Sequence, residues 1–241
     1  DNEGLEGIER AYNKYLSSTQ GEAVMIRDNR GKNLPFYKEL NQGTDGYDLE
    51  LNIDAHIQYW ADFLLEKSVI ENKAKAGYVT VMDPNDGRIL AISNYPIFDP
   101  NNINTANVES LRNRAVSDYY EPGSVFKILT LVAALENIKK PYSKKYDCEM
   151  GAWKIPGTIL HDWKKFGTLS FEEVFMHSSN IGIAKIVQEI GPKKFAPYLK
   201  KFALGEYTGI DLPAESPGYV KQYKNWSKTS PYIIPIGQEV A

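Results

Sequence analysis

A single cysteine, Cys148, is all the thiol this 241-residue sequence carries. An internal disulfide framework and a thiolate metal cluster within one chain are therefore excluded, while the redox compartment stays open, because a disulfide-free protein can sit on either side of a membrane. No run approaches the ~18 consecutive apolar residues of a membrane span; the longest candidate, Ile128–Leu135, is interrupted by Thr130. Charge of one sign is lacking too: 28 Lys plus Arg against 31 Asp plus Glu gives −3, which excludes a general polyanion binder working through a basic patch. The three histidines, His56, His161 and His177, are widely separated without metal-ligand spacing, so neither metal nor cofactor is expected. The opening DNEGLEGIER has neither an initiator Met nor a basic-then-apolar leader, as expected of a processed piece whose anchor or leader lay upstream.

What is present is a globular pattern of mixed texture, 42% hydrophobic with 16 Tyr and 4 Trp. Residues 1–46 are polar and hold one short helix candidate, Ile8–Leu16, and one strand candidate, Ala23–Arg27, too little for an independent core. From Tyr47 to Ile53 apolar and polar residues alternate as in a half-buried strand, and Asp54 then caps a helix to about Asn72 with Ile57, Ala61, Leu64 and Ser68 on one stripe. GYVTVM and RILAIS read as strands joined by the turn residues DPNDG. Counted as a calcium loop from Asp83, that turn has Asn94 rather than Glu at position twelve, which favours the hairpin. Residues 97–119 read as a long loop, and residues 125–138 as a helix so apolar all round that it belongs at the centre of the fold. Short extended pieces follow to Trp163, then a helix capped by Leu169 or Ser170 to Met176, one from Ile181 to Ile190, and one from Pro192 to Phe202.

Two short runs carry chemistry. In EPGSVFKI, residues 121–128, Ser124 opens the apolar helix and Lys127 lies three residues on, on the same face. A serine hydroxyl needs its proton removed before it attacks. An amine desolvated among Val125, Phe126, Ile128 and Leu131 favours its neutral form and can remove that proton. The bland alternative makes Ser124 a helix cap and Lys127 a snorkelling side chain. In HSSN, residues 177–180, Ser178 and Asn180 can send a proton-relaying hydroxyl and a positioning amide into one cleft, or Ser179 or Asn180 can simply cap the following helix. Asp162 and the other carboxylates show no pairing that spacing establishes, which leaves a two-carboxylate glycosidase unsupported. Cys148 has no neighbouring base that would make it a nucleophile.

Taken in order, the S-x-x-K and S-x-N elements resemble those of the penicillin-binding transpeptidases. NIDAHIQYWAD, GRILAISNYPIFDPNN, NRAVSDYYEPGSVFK, HSSNIGIAK, TGIDLPAESPG and IPIGQEVA extend the likeness from Tyr47 to the end, with wording similar to class B members of the division or sporulation type. The resemblance implies an α/β (α+β) fold, an antiparallel sheet flanked by helices. It makes residues 1–46 the end of a non-catalytic pedestal and residues 47–241 the N-terminal and central part of the transpeptidase domain. Ser124 would be the acylated nucleophile, Lys127 its base, Ser178 a proton relay and Asn180 a positioner of the donor peptide. The implied activity is D,D-transpeptidation of peptidoglycan stem peptides, blocked covalently by beta-lactams, outside a membrane to which an upstream single-pass anchor ties the protein. Stem peptides or a lipid-linked precursor, a membrane glycosyltransferase and other cell-wall synthesis proteins are the implied partners, nucleic acid not among them. A carboxypeptidase, a serine beta-lactamase, or a non-catalytic penicillin sensor or divisome scaffold on the same fold are the alternatives.

The third family element, Lys-Ser/Thr-Gly, belongs after Gly237–Gln238. Lys228–Thr229 precedes that pair and is followed by Ser230, so it is not that element. The expectation is an incomplete domain: a piece of a longer enzyme, inactive alone.

Overall fold

The computed structural model describes residues 3–241. Contacts divide the chain into two units, one reaching Ser117 and joined by Ile210–Glu215, the other made of Asp118–Gly209 and Ser216–Ala241. Helices and antiparallel strands make up both, as the expected fold class requires; every sheet among the described residues is two-stranded.

In the first unit α1 (Gly7–Leu16) and β1 (Glu22–Arg27) form where the local pattern places them, and β1 pairs with β2 (Asn33–Asn41), a strand the pattern does not announce. The alternating segment Tyr47–Ile53 forms no strand. It has no ladder to join, its backbone being tied at single points, Tyr47 N to Tyr15 O at 2.8 Å and Asp54 N to Leu90 O at 2.8 Å. Alternation needs a neighbouring strand before it becomes a sheet.

α2 (Ala55–Glu71) starts at Asp54, whose carboxylate accepts from His56 N at 2.9 Å and Ile57 N at 3.0 Å. Its buried face is Ala61, Leu65 and Val69, not the stripe through Leu64 and Ser68; Leu64 is 55% exposed. The reason is a long-range pin. Gln58 donates to Ile92 O at 3.1 Å and accepts from Ile92 N at 2.8 Å, fixing the helix's rotation over the hairpin of β3 (Gly77–Met82) and β4 (Ile89–Tyr95). The hairpin turn is closed by Asp83, which accepts from Asn85 N at 2.9 Å, and by Gly87 at φ +80°. Residues 97–119 are not all loop: a kinked 3-10 stretch at Pro100–Thr105, α3 (Val108–Leu111) and α4 (Arg114–Ser117) interrupt them.

The second unit holds the larger core. A 3-10 turn, Gly123–Phe126, runs into α5 (Lys127–Asn137), followed by β5 (Lys145–Asp147), β6 (Ala152–Ile155), β7 (Thr158–His161) and β8 (Thr168–Ser170), paired β5 with β8 and β6 with β7. Then come α6 (Phe171–Met176), α7 (Asn180–Ile190), α8 (Pro192–Lys201) and α9 (Ser230–Ile233). α7 buries seven of its eleven residues, and with Phe171, Val174 and Phe195 it forms the centre that the sequence assigns to α5. Each such large apolar side chain contributes about 1.5–3 kcal/mol by leaving water. α5 instead leaves Ile128 64% and Leu135 44% exposed, while Lys127 and Thr130 face inward. The inversion has a cause: the inward polar groups have partners, Thr130 Oγ1 donating to Pro235 O at 2.9 Å and Lys127 donating into the site described next.

Candidate active site

The turn that carries Ser124 is held from a distant part of the same unit. Gly123 N donates to Gly237 O at 3.1 Å, and the Glu121 carboxylate accepts from Glu239 N at 2.9 Å. Gly123 and Gly237 both have positive φ, +58° and +82°, and a Cβ on Gly237 would lie 2.1 Å from Gly123 O. Only glycine permits this approach. Ser124 itself is exposed, at the second position of the 3-10 turn, and its hydroxyl forms no hydrogen bond among the described residues.

One turn on, Lys127 is 4% exposed. Its amine uses all three donors: to Ser178 O at 2.7 Å, Ser178 Oγ at 2.9 Å and Asn180 Oδ1 at 2.7 Å. Burial pushes its pKa down to about 8, opposed by the negative charge of Asp162. Of the flanking residues that the sequence suggests for that burial, Phe126 is buried and Leu131 packs on the core, but Val125 is 72% and Ile128 64% exposed.

In HSSN the cap and the cleft-facing groups are different residues. Ser179 caps α7, accepting from Gly182 N at 2.9 Å, while Ser178 and Asn180 on either side of it turn to Lys127. Ser178 sits at φ +54°, a left-handed conformation that a serine adopts only when its surroundings impose it. That places it and Asn180 on one amine.

The surroundings that impose it lie between β7 and β8. Asp162 Oδ1 accepts from Asn180 N at 2.5 Å and Ile181 N at 3.1 Å, Oδ2 accepts from Ser179 Oγ at 2.7 Å, and His161 O accepts from Asn180 Nδ2 at 2.9 Å. Trp163 Nε1 donates to His177 O at 2.9 Å, and Phe166 stacks on the His177 ring with centroids 5.3 Å apart. None of these partners is announced in the sequence, since a carboxylate fifteen or more residues before a motif has no spacing that marks it. His161 and His177 serve the loop through their backbone and ring face, and His56 lies at the start of α2 in the other unit. Cys148 is fully buried and its thiol is pushed up by that burial, an environment that suppresses the thiolate.

The arrangement supplies a solvent-facing hydroxyl, a buried amine close to neutral pH one turn away, and a second hydroxyl and an amide on that amine. Chemically, such a set is able to serve in serine acyl transfer, as nucleophile, base and relay.

Comparison with known proteins gives the family. A family model described as the penicillin-binding protein transpeptidase domain matches residues 77–240, a range that takes in Ser124, Lys127, Ser178 and Asn180. Stage V sporulation protein D of Bacillus subtilis is 33% identical over 247 residues, covering all of this chain and 38% of that protein. Peptidoglycan D,D-transpeptidase FtsI of Escherichia coli K12 is 28% identical over 227 residues, 94% of this chain and again 38% of the relative. Among solved structures, penicillin-binding protein 3 of Mycobacterium tuberculosis complexed with ampicillin superimposes with a TM-score of 0.85 at 29% identity, over the whole of this chain and 50% of that one. The chain thus spans well under half the length of these curated relatives. A family match over more than half of the sequence, on a structure with this buried amine, establishes that the chain belongs to the penicillin-binding protein transpeptidase family.

Proposed function

We propose that this chain carries the nucleophile side of a peptidoglycan D,D-transpeptidase. One observation carries the reading above the rest: a nearly fully buried lysine, its pKa lowered to about 8, stands one turn from an exposed serine and bonds to the hydroxyl and amide of a second motif. Ser124 Oγ attacks the carbonyl of the penultimate D-alanine of a stem peptide, and the neutral Lys127 amine takes its proton. The tetrahedral intermediate collapses with D-alanine leaving, the proton returning to its amine through Lys127 and Ser178. The amine of a second stem then attacks the Ser124 ester, passing its proton back along the same relay. A beta-lactam opens on Ser124 in the first step and stays as an ester.

In this reading residues 1–46 end a pedestal and residues 47–241 belong to the transpeptidase domain. The protein works outside the cytoplasmic membrane, where peptidoglycan is built, alongside a glycosyltransferase and other cell-wall proteins in division or sporulation. The similarity to the Bacillus subtilis sporulation protein and to FtsI supports that setting. No helix among the described residues is long and apolar enough to cross a membrane.

Labelling the polypeptide as its cell makes it with a fluorescent penicillin tests the reading. Mass spectrometry is expected to place the adduct on Ser124, and Ser124→Ala to abolish it. D-alanine released from a two-stem reaction with formation of a cross-link identifies transpeptidation, whereas release without cross-link identifies a carboxypeptidase. An adduct on any other residue overturns the assignment.

A further inference from the structure

Asp162 stands outside the residues assigned above, yet it is the hub of the loop that meets Lys127. Its two carboxylate oxygens take three hydrogen bonds, from Ser179 Oγ and from the Asn180 and Ile181 backbone N–H groups at the start of α7. Those N–H groups have no intrahelical acceptor and favour a negative charge in front of them. Ser178, itself left-handed, is thereby followed directly by a carboxylate-anchored helix start.

We propose that Asp162 is a positioning residue of this site: it holds Ser178 and Asn180 on the Lys127 amine and supplies the negative charge that this amine feels. Among the described residues Asp162 is the one charge found to act on this amine; α8 carries Lys193, Lys194 and Lys200 besides Tyr198 and Lys201. The turns Gly123–Phe126 and Ile234–Ile236 have no titratable side chain. On α7, Lys185 is paired with Glu149 and Glu189 with Lys144. On α8, Tyr198 and Lys201 are engaged by Glu136 at the opposite end of α5. Asp162 opposes the effect of burial on Lys127, so its charge keeps the amine protonated to a higher pH than burial alone would allow. The same residue that builds the relay therefore restrains the base, and returns it to the protonated state needed to protonate the leaving amine.

Two variants separate the roles. Asp162→Asn keeps an oxygen acceptor for the N–H groups and removes the charge. The rising limb of its acylation rate against pH is expected to shift toward acid, with the plateau within a few-fold of the parent. Asp162→Ala removes both, and its plateau is expected to fall at least tenfold while Ser124 remains the labelled residue. A merely structural role lowers the plateau and leaves the midpoint in place. The kinetic arm rests on the acyl-transfer reading, so the Lys127 ε-carbon is also followed by NMR titration in protein never exposed to a beta-lactam. There Asp162→Asn is expected to lower the midpoint of Lys127 itself. An unchanged midpoint in that titration overturns the proposal even if labelling fails, and an unlabelled parent with a shifted midpoint overturns the function but not the role of Asp162.

Discussion

Lys127 shows what one residue imposes on a helix. A lysine on an apolar helix is expected to point its amine to water. Here the amine points inward, and exposed Ile128 beside it is the counterpart of that choice. In the proposed mechanism only the neutral amine accepts a proton, so the acylation rate is expected to rise with pH to a plateau with a midpoint near 8. Lys127→Ala should cut acylation by a factor of roughly 10² or more. Lys127→Arg should not rescue it, since a guanidinium stays charged. A rate-against-pH series on the three proteins checks both statements. A second residue-scale expectation concerns Gly237. A methyl there meets Gly123 O at 2.1 Å in a backbone conformation unfavourable to L residues, so Gly237→Ala should displace the Ser124 turn and depress labelling more than it depresses secondary structure measured by circular dichroism. The sequence singles out Ser124, Lys127, Ser178 and Asn180 because they sit in two compact runs, and the structure brings the last three together on one amine. It does not single out Asp162, because the partners of that carboxylate are assembled only by folding.

At the scale of elements, what is local was legible and what is long-range was not. Asp54, Ser170 and Ser179 cap their helices by bonds to residues two or three positions on; the sequence names Asp54 outright and narrows the other two caps to Leu169 or Ser170 and Ser179 or Asn180. The rotation of α2 depends on Gln58 meeting Ile92, thirty-four residues away, and a periodic pattern alone put the buried face one residue out. Tyr47–Ile53 had the alternation of a strand and no partner. The contact of α6 with α7 carries an expectation of its own. At Gly182 a methyl would lie 2.6 and 2.7 Å from the two methyls of Val174, so Gly182→Ala gains helix propensity and loses more to overpacking. Urea denaturation should show a net destabilisation of about 1–3 kcal/mol, with Ser124 labelling of the folded fraction retained. A neutral or stabilised variant would mean that α6 moves freely away from α7.

Across the whole molecule, burial is distributed unevenly. The continuous core runs from Phe126 to Val240 within the second unit, whereas α1 buries no residue and β1 is exposed along its length. Amide hydrogen exchange tracks such differences in local stability. Exchange is expected to be slowest in α5 and α7 and fastest in α1 and β1, and equal protection in the two groups would contradict this distribution of packing. The bonds that hold the nucleophile turn also set an order in time. Thr130 waits for Pro235, 105 residues later, and Glu121 for Glu239, 118 residues later. Contacts of such separation form only after the intervening chain exists and has closed on itself. During synthesis, then, the segment bearing Ser124 and Lys127 leaves the ribosome well before the residues that fix the Ser124 turn, and that turn is among the last features to be set.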